Sequence, residues 1–215
     1  MLLKKEREMV IKIALKAQQM GLISLTFGNF SLRDPATGHI CITPSGMDYE
    51  ELEPADIVVV DEQGKTIEGD RKPSIETPLH TTVYRKRKDV GGVVHTHSVF
   101  ATAWASCDVE FTLVAAELAA LVAEPVKTAP YRRMGSVELA ETVAETLEDK
   151  SAVLMSNHGL LTVGPDIKTA FANAVIVEEA AKITFYAKML GRLKEMDPDE
   201  CQVLRQWIVE RYGQK

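Results

Sequence analysis

The stretch 91–100, "GGVVHTHSVF", sets two of the chain's five histidines two residues apart behind a glycine pair and two valines. Its apolar, β-branched start reads as a strand over 92–97, and the pattern at 99–106 reads as a helix leaving it. On a strand the side chains alternate between faces, so His95 and His97 share one face, about 7 Å apart along the backbone. That spacing allows two imidazoles to converge on one ion. It suits equally well two hydrogen-bonded histidines on a half-buried strand, which is the simpler reading of an isolated His-x-His.

Outward from this stretch, helical and strand-like patterns alternate without a repeat. Val10, Ile13, Ala14, Ala17 and Met20 fall on one face of a helix over 2–20 that Gly21 ends. Runs at 27–33 ("FGNFSLR"), 40–43 ("ICIT") and 57–60 ("IVVV"), set between Asp-Pro, Thr-Gly, Ser-Gly and Glu-Pro turn signals, predict antiparallel strands. A short helix from Pro78 to about Lys88 precedes the His-x-His strand. Beyond it come a helical pattern at 113–123, a helix from Ser136 to Leu147, and strands at 152–157 and 160–163 around His158-Gly159. Helices at about 167–193 and 198–212 follow, the second opened by Pro198. The expectation is one domain over 1–215, a three-layer α/β/α architecture around a central mixed, mostly antiparallel sheet.

Composition narrows the partners. A chain of 215 residues that is 46% hydrophobic and 26% charged can bury a substantial core. The net charge of -6 leaves no basic stripe for a phosphate backbone, and the Lys/Arg patches at 4–7 and 85–88 read as solvated helix faces, so no nucleic-acid partner is expected. Cys41, Cys107 and Cys201 are odd in number and far apart, arguing neither for a disulfide framework nor for a thiolate zinc site. Residues 1–20 are charged and helix-periodic, and no run reaches the length of a membrane span; a cytoplasmic protein without membrane partners is expected.

The chemistry-bearing residues lie in four further segments. His158 in "SNHGLL" sits at a strand end before a glycine, and Glu76 in "KPSIETPLH" sits at the mouth of a helix. Three histidines and a carboxylate fit a catalytic zinc-type site with coordination space left open. His80, in the first turns of that helix, reads as a surface residue or a supporting neighbour. Three turn segments, "FGNF", "TPSG" and "KPS", offer Gly amides, an Asn amide and Ser hydroxyls, the groups that cradle a phosphate; each taken singly is only a turn.

With "GNFSLR", "ITPSGMDYEEL", "KPSIETPLH", "GGVVHTHS" and "NHGLL" in this order, the chain resembles the class II aldolase and sugar-phosphate epimerase family, which includes the adducin head domain. The resemblance runs from the opening helix to the "RYG" of the tail. It implies an α/β/α fold, a homotetramer with active sites between subunits, and one divalent metal per subunit, usually zinc with manganese or cobalt as alternatives, on His95, His97 and His158. It also implies a sugar-phosphate substrate whose phosphate lies against Asn29, Ser45, Gly46 and Ser74, with Glu76 as the acid/base. Glutamate rather than aspartate at 76 resembles the fuculose-phosphate-type aldolases, which release dihydroxyacetone phosphate and an aldehyde such as lactaldehyde. Tyr212 resembles those aldolases' C-terminal tyrosine. Ile75 and Ala116 depart from the pattern, standing where a second serine and another tyrosine are common, and the neighbouring Glu117 is the candidate substitute acid. The alternatives are a ribulose-phosphate 4-epimerase, a methylthioribulose-phosphate dehydratase, or a metal-free adducin-like interaction module.

Overall fold

The computed structural model describes residues 1–109, 111–112, 114–122 and 125–211. Helix α1 (Lys4–Gln19) leads into strands β1 (Gly28–Arg33), β2 (Ile40–Ile42), β3 (Val58–Val60) and β4 (Thr66–Glu68), with a 3-10 turn at Tyr49–Glu51. Next come α2 (Thr77–Lys86), β5 (Gly92–Thr96), α3 (Val99–Ala105), α4 (Ala116–Val122), β6 (Thr128–Ala129) and α5 (Val137–Leu147). The chain then runs through β7 (Ala152–Met155), β8 (Gly159–Gly164), α6 (Ile167–Leu190) and α7 (Pro198–Arg211). The strands form one sheet in the order β4-β3-β2-β1-β5-β8-β7-β6, antiparallel at every pairing except β6 with β7. The expected mixed, mostly antiparallel sheet between helical layers is what forms.

Helices cover both faces, which is why the strands read as nearly continuous apolar runs rather than as clean alternation. Val94, Leu160 and Val59 join Val10, Ile13, Ala14, Ala101, Ala170, Ala174 and Val177 on the side of α1, α3 and α6. Their strand neighbours Val93, Leu161, Val58 and Val60 join Leu79, Val83, Leu139, Ala140 and Val143 on the side of α2 and α5. His95 therefore points with Val93 toward α2, the helix that begins beside Glu76. Met20, expected on the buried face of α1, is exposed because the helix ends at Gln19 and Met20 caps it.

Two glycine positions let the sheet bring the site together. A Cβ on Gly92 would lie 2.3 Å from the Cα of Ile167, so the glycine pair before His95 admits the start of α6. A Cβ on Gly159 would lie 2.4 Å from the carbonyl oxygen of Thr96 and 3.3 Å from Cε1 of His95. Only glycine lets β8 begin so close to the end of β5, and that approach places His158 beside His95. Two strands went unread in the sequence: β4, three mostly exposed residues, and β6, two residues, lack the apolar run that marks β2 and β3.

Candidate metal centre

Three elements deliver three imidazoles to one point. His95 is the fourth residue of β5, and its Nδ1 lies 2.9 Å from the Leu160 carbonyl oxygen on the adjacent β8. A carbonyl only accepts, so Nδ1 carries a proton and Nε2 is the nitrogen that faces the site, able to offer a lone pair once its own proton leaves. His97 follows β5 by one residue, because the strand ends at Thr96 and not at 97. Its Nε2 is 2.9 Å from that of His95, and its ring stacks on Phe27 with centroids 6.0 Å apart. The helix after it is pinned by Glu178 of α6, whose carboxylate accepts from the amides of Phe100 and Ala101 at 2.9 and 2.8 Å. His158 sits in the turn between β7 and β8, preceded by Asn157 in the left-handed region at φ 54°. The three ring centroids are 4.7–5.0 Å apart in pairs, and one nitrogen from each ring lies within 4.8 Å of the others.

Glu76 caps this cluster. It stands at the N-terminus of α2, 4% exposed, with Oε2 3.1 Å from His95 Nε2 and Oε1 3.5 Å from His158 Nε2. Asn29 of β1 donates from Nδ2 to Oε2 at 2.9 Å. Glu76 Oε1 and His158 Nδ1 are buried without a hydrogen-bond partner among the described residues.

The donor set fits a divalent ion. Ligand nitrogens about 2.0–2.1 Å from a tetrahedral zinc-type ion stand about 3.3 Å apart, close to the 2.9 Å between the two facing Nε2 atoms. Burial, reinforced by the charge on His95, pushes His97 down to about 3 and His158 down to about 4, so both keep free lone pairs at neutral pH. Burial opposes charge on His95, but the Glu76 carboxylate beside it prevails and raises its pKa above the ordinary value. Burial likewise pushes Glu76 up, and the charge and hydrogen bond of His95 outweigh it, holding the carboxyl well below the usual range. In the metal-free protein, then, one proton on His95 balances the carboxylate, and a cation takes over that role on binding.

The phosphate candidates gather on the same cavity. Asn29, Ser45, Gly46 and Ser74 line a pocket of about 180 Å³ together with Glu76, His97 and His158. The two turns carrying Ser45 and Ser74 are tied together, Ser45 N–H donating to the Lys72 carbonyl at 3.0 Å and Ser74 N–H to the Thr43 carbonyl at 3.1 Å. Gly46 has φ 68°, and no atom lies within 4 Å of where its Cβ would be, so its backbone is open to a ligand. The amide of Asn29 is committed to Glu76 and to His80, whose Nε2 lies 2.6 Å from Asn29 Oδ1. Ile75 is exposed on the cavity wall near Phe27 and Met134.

Glu117 does not join them within the subunit. It lines a different cavity, of about 560 Å³, with Gly164, Pro165, Thr169 and Arg205, because α4 packs on α6 and α7. Gly164 ends the strand that His158 precedes, on the order of 20 Å away. Tyr212 lies outside the described residues. His80 is not on the surface: it is fully buried, held by Ser31 and Asn29. No histidine spacing signalled that contact, which joins residues 49 and 51 positions apart.

The profile of the Class II Aldolase and Adducin N-terminal domain matches residues 8–185, a span that includes every one of these site residues except Tyr212. The chain belongs to the class II aldolase and adducin family. It is 40% identical over 215 residues, all of both chains, to the 5-deoxy-D-ribulose 1-phosphate aldolase of Bacillus thuringiensis serovar kurstaki. It is 37% identical over 158 residues, 74% of this chain and 84% of the relative, to an L-fuculose phosphate aldolase of Methanococcus maripaludis. A solved L-fuculose 1-phosphate aldolase superposes with a TM-score of 0.92 at 32% identity, covering 95% of this chain and 96% of the other. The chain is thus a lyase, a class II aldolase of the fuculose-phosphate aldolase type. Class II aldolases use a divalent metal, and the buried His95, His97 and His158 can hold one. Among the described residues no helix is long and apolar enough to cross a membrane.

Proposed function

We propose that the protein cleaves a deoxyketose 1-phosphate between C3 and C4, releasing dihydroxyacetone phosphate and a short methyl-ended aldehyde. The first candidate is a 5-deoxypentulose 1-phosphate, which yields acetaldehyde. L-fuculose 1-phosphate, which yields lactaldehyde, is the second. The observation that carries this reading is one cavity lined by His97 and His158, with His95 buried against them, where Glu76 and two open turn segments also meet. The full-length likeness to a 5-deoxy-D-ribulose 1-phosphate aldolase supports the shorter sugar. Phe27, Ile75 and Met134 give the cavity an apolar wall that suits a methyl terminus.

His95, His97 and His158 would hold one divalent ion per subunit, zinc before manganese or cobalt, which would supply positive charge to stabilise the negative charge that develops on the substrate. Ser45, Gly46 and Ser74 bind the phosphate through hydroxyl and backbone N–H groups. As the C3–C4 bond breaks, its electron pair passes to C3 and the C4 hydroxyl loses its proton to become the aldehyde. Glu76, ionised at rest, takes up a proton from solvent and delivers it to C3, completing dihydroxyacetone phosphate, and removes it in the reverse direction. Tyr212, from a neighbouring subunit, takes the C4 hydroxyl proton as its own phenolic proton passes to solvent.

A single-domain, cytoplasmic homotetramer is part of the proposal. Ile183, Phe185, Tyr186, Met189 and Leu190 leave the end of α6 apolar and exposed in one subunit, as do Val203 and Trp207 on α7, and a second copy would cover them. The test of function is to load the purified protein with zinc and offer it ketose 1- and 5-phosphates while following dihydroxyacetone phosphate. Its release from a deoxyketose 1-phosphate supports the proposal; an epimerised or dehydrated product without it refutes it.

A further inference from the structure

Behind Glu76 and Asn29 runs a line of buried polar side chains to which the account above gives no part in metal or phosphate binding. Tyr84 OH lies 2.9 Å from Ser31 Oγ, Ser31 Oγ 2.6 Å from His80 Nδ1, and His80 Nε2 2.6 Å from Asn29 Oδ1. Asn29 Nδ2 then reaches Glu76 Oε2 at 2.9 Å. Tyr84, Ser31 and His80 are fully buried, and Asn29 and Glu76 are 6% and 4% exposed.

The direction of every hydrogen bond is determined. A carboxylate only accepts, so Asn29 must turn its NH2 to Glu76 and its carbonyl oxygen to His80. His80 therefore carries its proton on Nε2, and Nδ1 accepts. Ser31 spends its one proton on Nδ1, which leaves Tyr84 to donate to Ser31 Oγ. Burial, with the charge on His95 adding to it, pushes His80 down to about 3, so the ring stays neutral, as this chain of donors requires. A partly satisfied network of this kind would be costly so deep in the protein, whereas Tyr84, Ser31, His80 and Asn29 each have a partner here.

We propose that His80 is a positioning residue which, backed by Ser31 and Tyr84 and acting through Asn29, locks the Glu76 carboxylate with Oε2 engaged and Oε1 free. Oε2 takes the Asn29 hydrogen bond and the contact with His95, whereas Oε1 has no hydrogen-bond partner among the described residues. Oε1 is then the oxygen that exchanges a proton with substrate, and His80 prevents Asn29 from flipping its carbonyl toward the carboxylate. This inference rests on the reading of Glu76 as the C3 acid/base.

Two measurements test it. In protein carrying 15N-labelled histidine, NMR should report His80 as the neutral Nε2–H tautomer; an Nδ1–H tautomer or a charged ring overturns the relay whatever the activity. In the zinc-loaded enzyme, His80→Leu should lower kcat about 10–100-fold with KM and metal content unchanged. His80→Gln, which can still accept from Ser31 and donate to Asn29, should recover most of the rate. Ser31→Ala, which removes one hydroxyl and spares the fold should leucine at 80 not be tolerated, should lower kcat in the same way but less far. Equal losses in the leucine and glutamine variants would reduce His80 to packing and end the inference. If the unaltered protein cleaves no ketose phosphate, the proposed function fails, and the tautomer alone decides the relay.

Discussion

Replacing Gly159 with alanine should damage the site without touching a ligand. The added Cβ would stand 2.4 Å from the Thr96 carbonyl oxygen, and carbon–oxygen contacts settle at about 3.3 Å or more, so β8 and the end of β5 must part by about 1 Å. The same Cβ lies 3.3 Å from His95 Cε1 and 3.4 Å from His97 Cδ2, so neither imidazole can move inward to compensate. His158 precedes residue 159 and would shift with it. Overpacking of this kind costs about 1–3 kcal/mol, and a displacement of about 1 Å at a reacting centre costs on the order of 10²-fold in rate. Thermal melting, zinc content after dialysis and dihydroxyacetone phosphate release on one preparation read all three effects. A folded Gly159→Ala protein with wild-type zinc content and wild-type cleavage would refute the claim that this glycine brings the third histidine to the other two.

Replacing His95 or His158 with alanine should abolish bound zinc and cleavage while far-ultraviolet circular dichroism stays that of a folded protein; full activity in either variant would contradict the metal assignment. Tyr212→Phe should slow C3–C4 cleavage by on the order of 10²-fold while hydrogen exchange at C3 of dihydroxyacetone phosphate survives, and cleavage at the wild-type rate would make the tail tyrosine a bystander. Acid should weaken the metal-free protein. His80, His97 and His158 have folded pKa values of about 3, 3 and 4 against an ordinary 6.5. Below pH 6.5 the unfolded chain therefore binds more protons at these three positions, and stability falls toward pH 4. Only His95, raised by Glu76, works the other way. Urea midpoints should drop between pH 7 and pH 5, and a flat profile would contradict the neutral burial of these rings. Added zinc should raise the midpoints and steepen the drop, since the ion holds all three ligands, His95 included, unprotonated in the folded state.

Much of this was legible in the sequence, and the limits have physical reasons. The His95 and His97 pair, the strand-end His158 and the helix-mouth Glu76 could be found because each stands in a short local pattern that fixes where its side chain points. Gly159 and the glycine pair at 91–92 were visible as turn signals, but their close approaches to Thr96, Pro165 and Ile167 exist only once strands are paired. The relay through Ser31, His80 and Tyr84 was not legible, because β1 meets α2 across some fifty residues and no spacing records it. Arg7 reads as one of a run of solvated cations, yet it is 1% exposed, bonded to Glu68 at 2.7 Å and to the carbonyls of Leu2, Pro54 and Ile57. Glu117 was named from its place in a family pattern, and the packing of α4 turns it to another cavity.

The account centres on Glu76 as the group that moves the C3 proton beside a metal held by three histidines. The direct measurement is proton NMR of dihydroxyacetone phosphate in deuterium oxide, with zinc-loaded protein and with zinc-loaded Glu76→Gln. The unaltered protein should exchange one C3 hydrogen for deuterium stereospecifically, and the variant, with its zinc retained, should not exchange it above the rate of zinc-free protein. Exchange at the wild-type rate by Glu76→Gln with full zinc content would contradict the account.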